Sequence, residues 1–135
     1  MTRRRQVAVV GKGEPDEGLA PLAEDVGRRL AEAGAIVVCG GLGGVMEAAA
    51  RGAREAGGEV IGVLPGEDPV AIGGEWGTLA EMAFARRLGR PVVALHGWRV
   101  SGEGTMKDAP GIAAAEDAAE AVVLALSKAG ERRSD

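Results

Sequence analysis

The stretch Val37-Val38-Cys39-Gly40-Gly41-Leu42-Gly43-Gly44-Val45-Met46-Glu47 decides the fold. An apolar run stops at a glycine, four glycines fall within five positions, and a segment rich in Ala, Glu and Arg follows to Ala56, where Gly57 and Gly58 close it. That pattern is a buried strand turning tightly into a helix. A turn without Cβ atoms lets backbone approach a ligand closely, and the N–H groups at a helix start can face an anion. The same glycines suit close packing of helix on strand, so both uses stay open. Gly40, Gly41, Gly43 and Gly44 are the candidates for phosphate contact, and Glu47 reads as a first-turn carboxylate favoured by the helix dipole.

Working outward, Val7 to Val10 is a strand ending at Gly11 and Gly13, and Leu19 to Ala33 is a helix with Leu22, Val26 and Leu30 on one stripe. Ala35 to Cys39 is the second strand, Val60 to Leu64 the third and Val70 to Ile72 the fourth. A helix from about Leu79 to Leu88 follows, then a fifth strand, Val92 to Leu95, and a final Ala-rich helix, Ala113 to Lys128. Trp98 to Gly111 has no period and reads as loop, with room for a short edge strand. Apolar strands alternating with helices indicate a parallel sheet covered on both faces. The expected fold is therefore α/β, a Rossmann-like three-layer doubly wound sheet, in one domain spanning residues 1–135.

One connection departs from this pattern. Only Pro65 to Pro69 separate the third and fourth strands, whereas a parallel crossover takes a dozen residues or more. Either the two strands are not parallel neighbours or a crossover segment is missing between about Gly66 and Val70. The second is the expectation.

Composition narrows the function. With 46% hydrophobic but only 2% aromatic residues, the single core must be filled by Val, Ile, Leu and Ala. A net charge of -4 argues against a broad nucleic-acid surface. Cys39 has no cysteine partner, which fits a reducing compartment, and Val7 to Val10 is too short for a signal core or membrane span. The reading is a cytoplasmic protein with neither nucleic acid nor membrane as partner.

A second turn, Ile72-Gly73-Gly74-Glu75-Trp76-Gly77-Thr78-Leu79-Ala80-Glu81, repeats the strand-to-helix placement. In parallel sheets such turns lie at the carboxyl edge and can converge on one crevice, which Gly11, Lys12 and Gly13 would border. Thr78 and Glu81 have the spacing of a capping box, with Thr78 as N-cap. Capping and acid–base chemistry are both open to Glu81. His96 follows the fifth strand at the same edge and reads as structural. Without a second His or a Cys pair there is no zinc signature.

Together these residues resemble the superfamily containing the lonely-guy type cytokinin-activating phosphoribohydrolases, the proteins misnamed lysine decarboxylases, and the molybdenum cofactor carrier proteins, with the carrier-like branch the nearest. The resemblance covers nearly the whole chain and is carried by Val37 to Pro65 and Gly73 to Glu81. It implies that Gly74, Gly77 and Thr78 hold a phosphate and that Glu81 assists cleavage of an N-glycosidic bond. Three departures stand out. Glu75 takes the place of a glycine in the enzymes' Pro-Gly-Gly, Glu47 stands where they often carry another, and the crossover that bears an active-site Arg belongs in the region expected to be missing.

The leading expectation is therefore a protein that binds a small phosphate-bearing ligand, a nucleotide or a molybdopterin-type cofactor. The alternatives are a nucleoside 5′-monophosphate phosphoribohydrolase, and a structural domain whose Ala-rich helices, Leu79 to Leu88 especially, pair in a homo-oligomer. Pyridoxal phosphate is not expected, since neither Lys12 nor Lys107 lies in a Schiff-base context.

Overall fold

A computed structural model describes residues 4–40, 43–62, 69–72, 76–97, 99–100 and 109–131. Among these, six strands form one parallel sheet: β1 (Gln6–Gly11), β2 (Ile36–Cys39), β3 (Val60–Gly62), β4 (Pro69–Ile72), β5 (Val92–Leu95) and β6 (Ile112–Ala115). Four helices accompany them: α1 (Ala20–Glu32), α2 (Val45–Glu55), α3 (Trp76–Arg87) and α4 (Ala118–Glu131). The strand order is β3-β2-β1-β4-β5-β6, with every pairing parallel. The chain thus builds outward from β1 in one direction, then restarts at β4 and builds in the other. This is the doubly wound arrangement, with its switch point between β1 and β4.

Alternation along the strands sorts the core into two layers. Val7, Val9, Val37, Val93 and Leu95 face α1, α2 and α4, which contribute Val26, Leu30, Ala49 and Val122. On the opposite face, Met82 and Ala85 of α3 cover Val10, Val92 and Ala94. The scarcity of bulky aromatics is matched by backbone proximity. A Cβ at Gly27 of α1 would lie 1.9 Å from the Ala49 carbonyl oxygen, and one at Gly52 of α2 would lie 2.0 Å from that of Glu24. The two helices are therefore packed nearly backbone to backbone.

Two local expectations are corrected. Ala113 to Ala115 belong to β6, paired with Val93 to Leu95, and not to the last helix. Alanine favours helix, but ladder pairing beside β5 overrides it. The helix begins after Asp117, whose carboxylate accepts the Glu120 N–H at 2.8 Å, while the Glu120 carboxylate accepts the Glu116 N–H at 2.9 Å. This is a box-like cap at Asp117. The box read at Thr78 does not form, because α3 starts at Trp76 and Thr78 already lies inside its first turn.

β3 and β4 are parallel in one sheet but not neighbours, since β2 and β1 lie between them. Three strand spacings separate them, roughly 14 Å. Residues 63–68, where most of the expected break near Gly66 to Val70 falls, lie outside those described; Pro69 and Val70 are consecutive in β4. On the α3 side of the sheet, Ala8, Ile36 and Val38, with Ile61 against them, form a separate apolar cluster that includes no helical residue among those described.

Candidate functional site

The carboxyl ends of β1 and β4 meet at the switch point, with Gly11 in register with Ile72. After β1, the chain runs through Lys12 and Gly13 into a turn fixed by Asp16. Its carboxylate accepts the N–H of Gly18 at 2.9 Å and of Leu19 at 3.1 Å, and these bonds, with Lys12 3.5 Å away, hold the carboxyl below its usual range. The lysine thus has an acidic neighbour of its own.

The turn after β2 supports this loop from the other side. Gly44 has φ 66°, and a Cβ there would lie 2.3 Å from the Lys12 carbonyl oxygen and 2.6 Å from that of Glu14. The Val45 N–H, first of α2, donates to the Lys12 carbonyl at 3.0 Å. One of the helix's open donors is therefore used by the protein itself. A cavity of about 350 Å³ beside this junction is lined by Asp16, Glu17 and Glu47, with Arg51 the only cation, which makes it a poor place for an anion. Gly43 and Gly44 thus act first as a buttress of the β1 loop, whereas Gly40 packs near the Met46 sulfur.

On the β4 side, α3 begins four residues after Ile72. Thr78 is the one buried polar residue among those described, at 2% exposure, and its hydroxyl has no hydrogen-bond partner among them. Buried polar groups are ordinarily paired, so an orphan of this kind calls for an explanation. Three positions on, Glu81 is partly buried; it neither caps the helix nor forms an ion pair among the described residues, and desolvation pushes its carboxyl up. Burial disfavours the charged form of a carboxyl, which is the sense of this shift.

Among the expected site residues, Gly11, Gly13, Gly77, Thr78 and Glu81 are brought to the β1–β4 switch point or to the first turns of α3 beside it. Gly40, Gly43 and Gly44 lie one strand away, and Gly41, Gly74 and Glu75 fall outside the described residues. In the sequence, His96 reads as structural and its backbone goes unanticipated. It ends β5 with φ 51° and is the only non-glycine residue with positive φ among those described. The signal available was a non-glycine residue directly after a buried strand, where a tight turn is needed.

With this geometry in view, comparison with known proteins is informative. Residues 4–69 match the model of the SLOG cluster4 family. A protein of Archaeoglobus fulgidus is 34% identical over 119 positions, which take in 67% of this chain and 79% of the relative. Since 67% of 135 residues is about 90, close to thirty of those positions are filled by the relative alone. Among solved structures, the molybdenum cofactor carrier protein of Chlamydomonas reinhardtii superposes with a TM-score of 0.83 at 28% identity, covering 94% of this chain and 99% of that one. The molybdenum cofactor binding protein of Rippkaea orientalis shares the fold with a TM-score of 0.74 at 22% identity, covering 94% and 98%.

Proposed function

The chain belongs to the SLOG cluster4 family, and on that premise we propose that it holds a small phosphate-bearing ligand, a nucleotide or a molybdopterin-type cofactor, at the β1–β4 switch point. The observation that carries this reading is Thr78, a buried hydroxyl without a partner among the described residues, in the first turn of the helix that follows β4. A phosphate oxygen at that helix start would satisfy the hydroxyl and meet the positive end of the helix dipole. The backbone at Gly11 and Gly13, with that of Gly77 at the start of α3 and of Gly74 before it in sequence, would supply the remaining contacts. The solved carrier proteins of the same fold, which bind the molybdenum cofactor, support a ligand of this size and charge. For such a cofactor, the fitting group is its phosphate end, held by the Thr78 hydroxyl and glycine backbone.

The test is Thr78→Val, which keeps the side chain's shape and removes the hydroxyl. Exchanging an unpaired buried hydroxyl for a methyl group is near neutral for folding, whereas a hydrogen bond to a charged group contributes about 1.5–3 kcal/mol. Calorimetric titration with AMP is therefore expected to show binding weakened at least about tenfold, with the thermal midpoint held or raised. A fall in midpoint with AMP affinity unchanged would make Thr78 a structural residue and overturn the reading.

Glu81 favours a second reading, hydrolysis of the N-glycosidic bond of a nucleoside monophosphate, because its partly desolvated carboxyl is not committed to capping. Incubating AMP with the protein and with Glu81→Gln decides it. Adenine released by the first and not the second supports hydrolysis; no release leaves binding as the sole activity.

The same helix supports self-association. Phe84 and Leu88 are 53% and 58% exposed and lie one turn apart, with exposed Ala80 a turn earlier. Antiparallel pairing about Phe84 sets Ala80 against the partner's Leu88 and brings the Glu81 half of one helix beside the Arg87 half of the other. Sedimentation is expected to give a dimer that Phe84→Glu converts to a folded monomer. No described helix is long and apolar enough to cross a membrane, and the reading is of a cytoplasmic protein.

A further inference from the structure

Five glycines among the described residues take positive φ: Gly34, Gly44, Gly57, Gly89 and Gly111. At the one other such position the chain carries histidine, with φ 51° at His96. A side chain in the left-handed region costs free energy that glycine would avoid. Packing does not require this one, because His96 is exposed. Nor can the strand slip to relieve it. All four residues of β5 are buried, Val93 and Leu95 in one core layer and Val92 and Ala94 in the other, and a shift of one residue would turn each to the wrong face.

Position gives the strain a use. Leu95 is in register with Ile72, the last residue of β4, so His96 follows directly where that strand pair ends. That is the carboxyl edge of the sheet, the edge from which α3, with Thr78 in its first turn, also starts. Strained non-glycine backbone at such an edge persists where the side chain serves a ligand.

We propose that His96 is a ligand-contacting residue, its imidazole N–H donating a hydrogen bond to the phosphate of the molecule bound at Thr78. This rests on the phosphate-binding reading of the crevice and adds to it a contact from the next strand. The imidazole is the one cation-capable ring in the chain, since the sequence contains a single histidine.

That single histidine makes the test direct. In tag-free protein, the imidazole C–H signals in a proton NMR spectrum belong to His96 without assignment. Titration with AMP is expected to move them in the wild type and to need at least about tenfold more AMP to do so in Thr78→Val. His96→Gly, which removes ring and strain together, is expected to keep or raise the thermal midpoint while weakening AMP binding at least fivefold. If calorimetry shows AMP bound while the imidazole signals stay fixed, or if His96→Gly binds AMP as tightly as the wild type, this inference fails and the reading of the crevice stands. A lower midpoint in His96→Gly would also overturn it, by giving the imidazole a role in the fold. If wild-type protein binds neither AMP nor inorganic phosphate, both fall.

Discussion

Gly27→Ala is expected to destabilise the protein by about 2–3 kcal/mol, as is Gly52→Ala. Each added methyl group would meet the backbone of the neighbouring helix at about 2 Å, so α1 and α2 must move apart or bend. Overpacking costs typically 1–3 kcal/mol and more where the obstacle is backbone, while alanine's better helix propensity returns about 1 kcal/mol. The net loss is a large share of a stability of roughly 5–15 kcal/mol. The two changes act on one interface, so the double variant should lose less than the two single losses combined: once the helices part for one methyl group, there is room for the second. Urea unfolding checks both points, with the exposed Arg28→Ala expected to stay within about 0.5 kcal/mol of the wild type. A neutral Gly27→Ala would mean that the close approach of α1 and α2 does not persist in solution.

Inserting a crossover of about thirty residues between Gly62 and Pro69 is expected to raise the thermal midpoint by about 8 °C, or about 2 kcal/mol in a domain of this size. We propose that the β3–β4 link is a shortened form of a full βαβ crossover. Three observations support it. β3 and β4 are parallel and separated by two strands, the Archaeoglobus relative fills close to thirty positions that this chain does not, and the cluster of Ala8, Ile36 and Val38 includes no helical residue on the side where a crossover helix would lie. A strand-crossing helical segment of that length is the natural insert. A chimera that melts lower than the wild type would show that the short link is the one this sheet is built for.

How far the sequence could be read depended on which residues carried the signal. The glycine runs after β2 and β4, and the apolar runs at Val7, Val37 and Val92, marked strand ends and a parallel sheet because such strands are buried on both faces. Ala113 to Ala115 misled, since alanine's helix propensity pointed one way and pairing with β5 set the other. The two capping boxes were exchanged: Thr78 and Glu81 have the spacing without the helix start, and Asp117 and Glu120 have both. Gly27 and Gly52 gave no sign of their importance, because a glycine within a helical pattern says nothing of the backbone opposite it. At the carboxyl edge of the sheet, the burial of Thr78 without a partner among the described residues and the backbone of His96 are facts of three dimensions. No spacing rule would have disclosed either.

The strand order also has a consequence for synthesis. β1, α1, β2 and α2 form a contiguous block that can assemble as soon as it leaves the ribosome, helped by the close seat of Gly27 against Ala49. Yet β1 is an inner strand of the finished sheet, and its second neighbour is made only when Pro69 to Ile72 appear. Until then Ala8 to Gly11 present an unpaired edge to the cell, with apolar side chains at Val9 and Val10, the kind of surface on which nascent chains join one another. A chaperone that recognises short apolar strands would find its binding segment there, in the interval between the two halves of the fold.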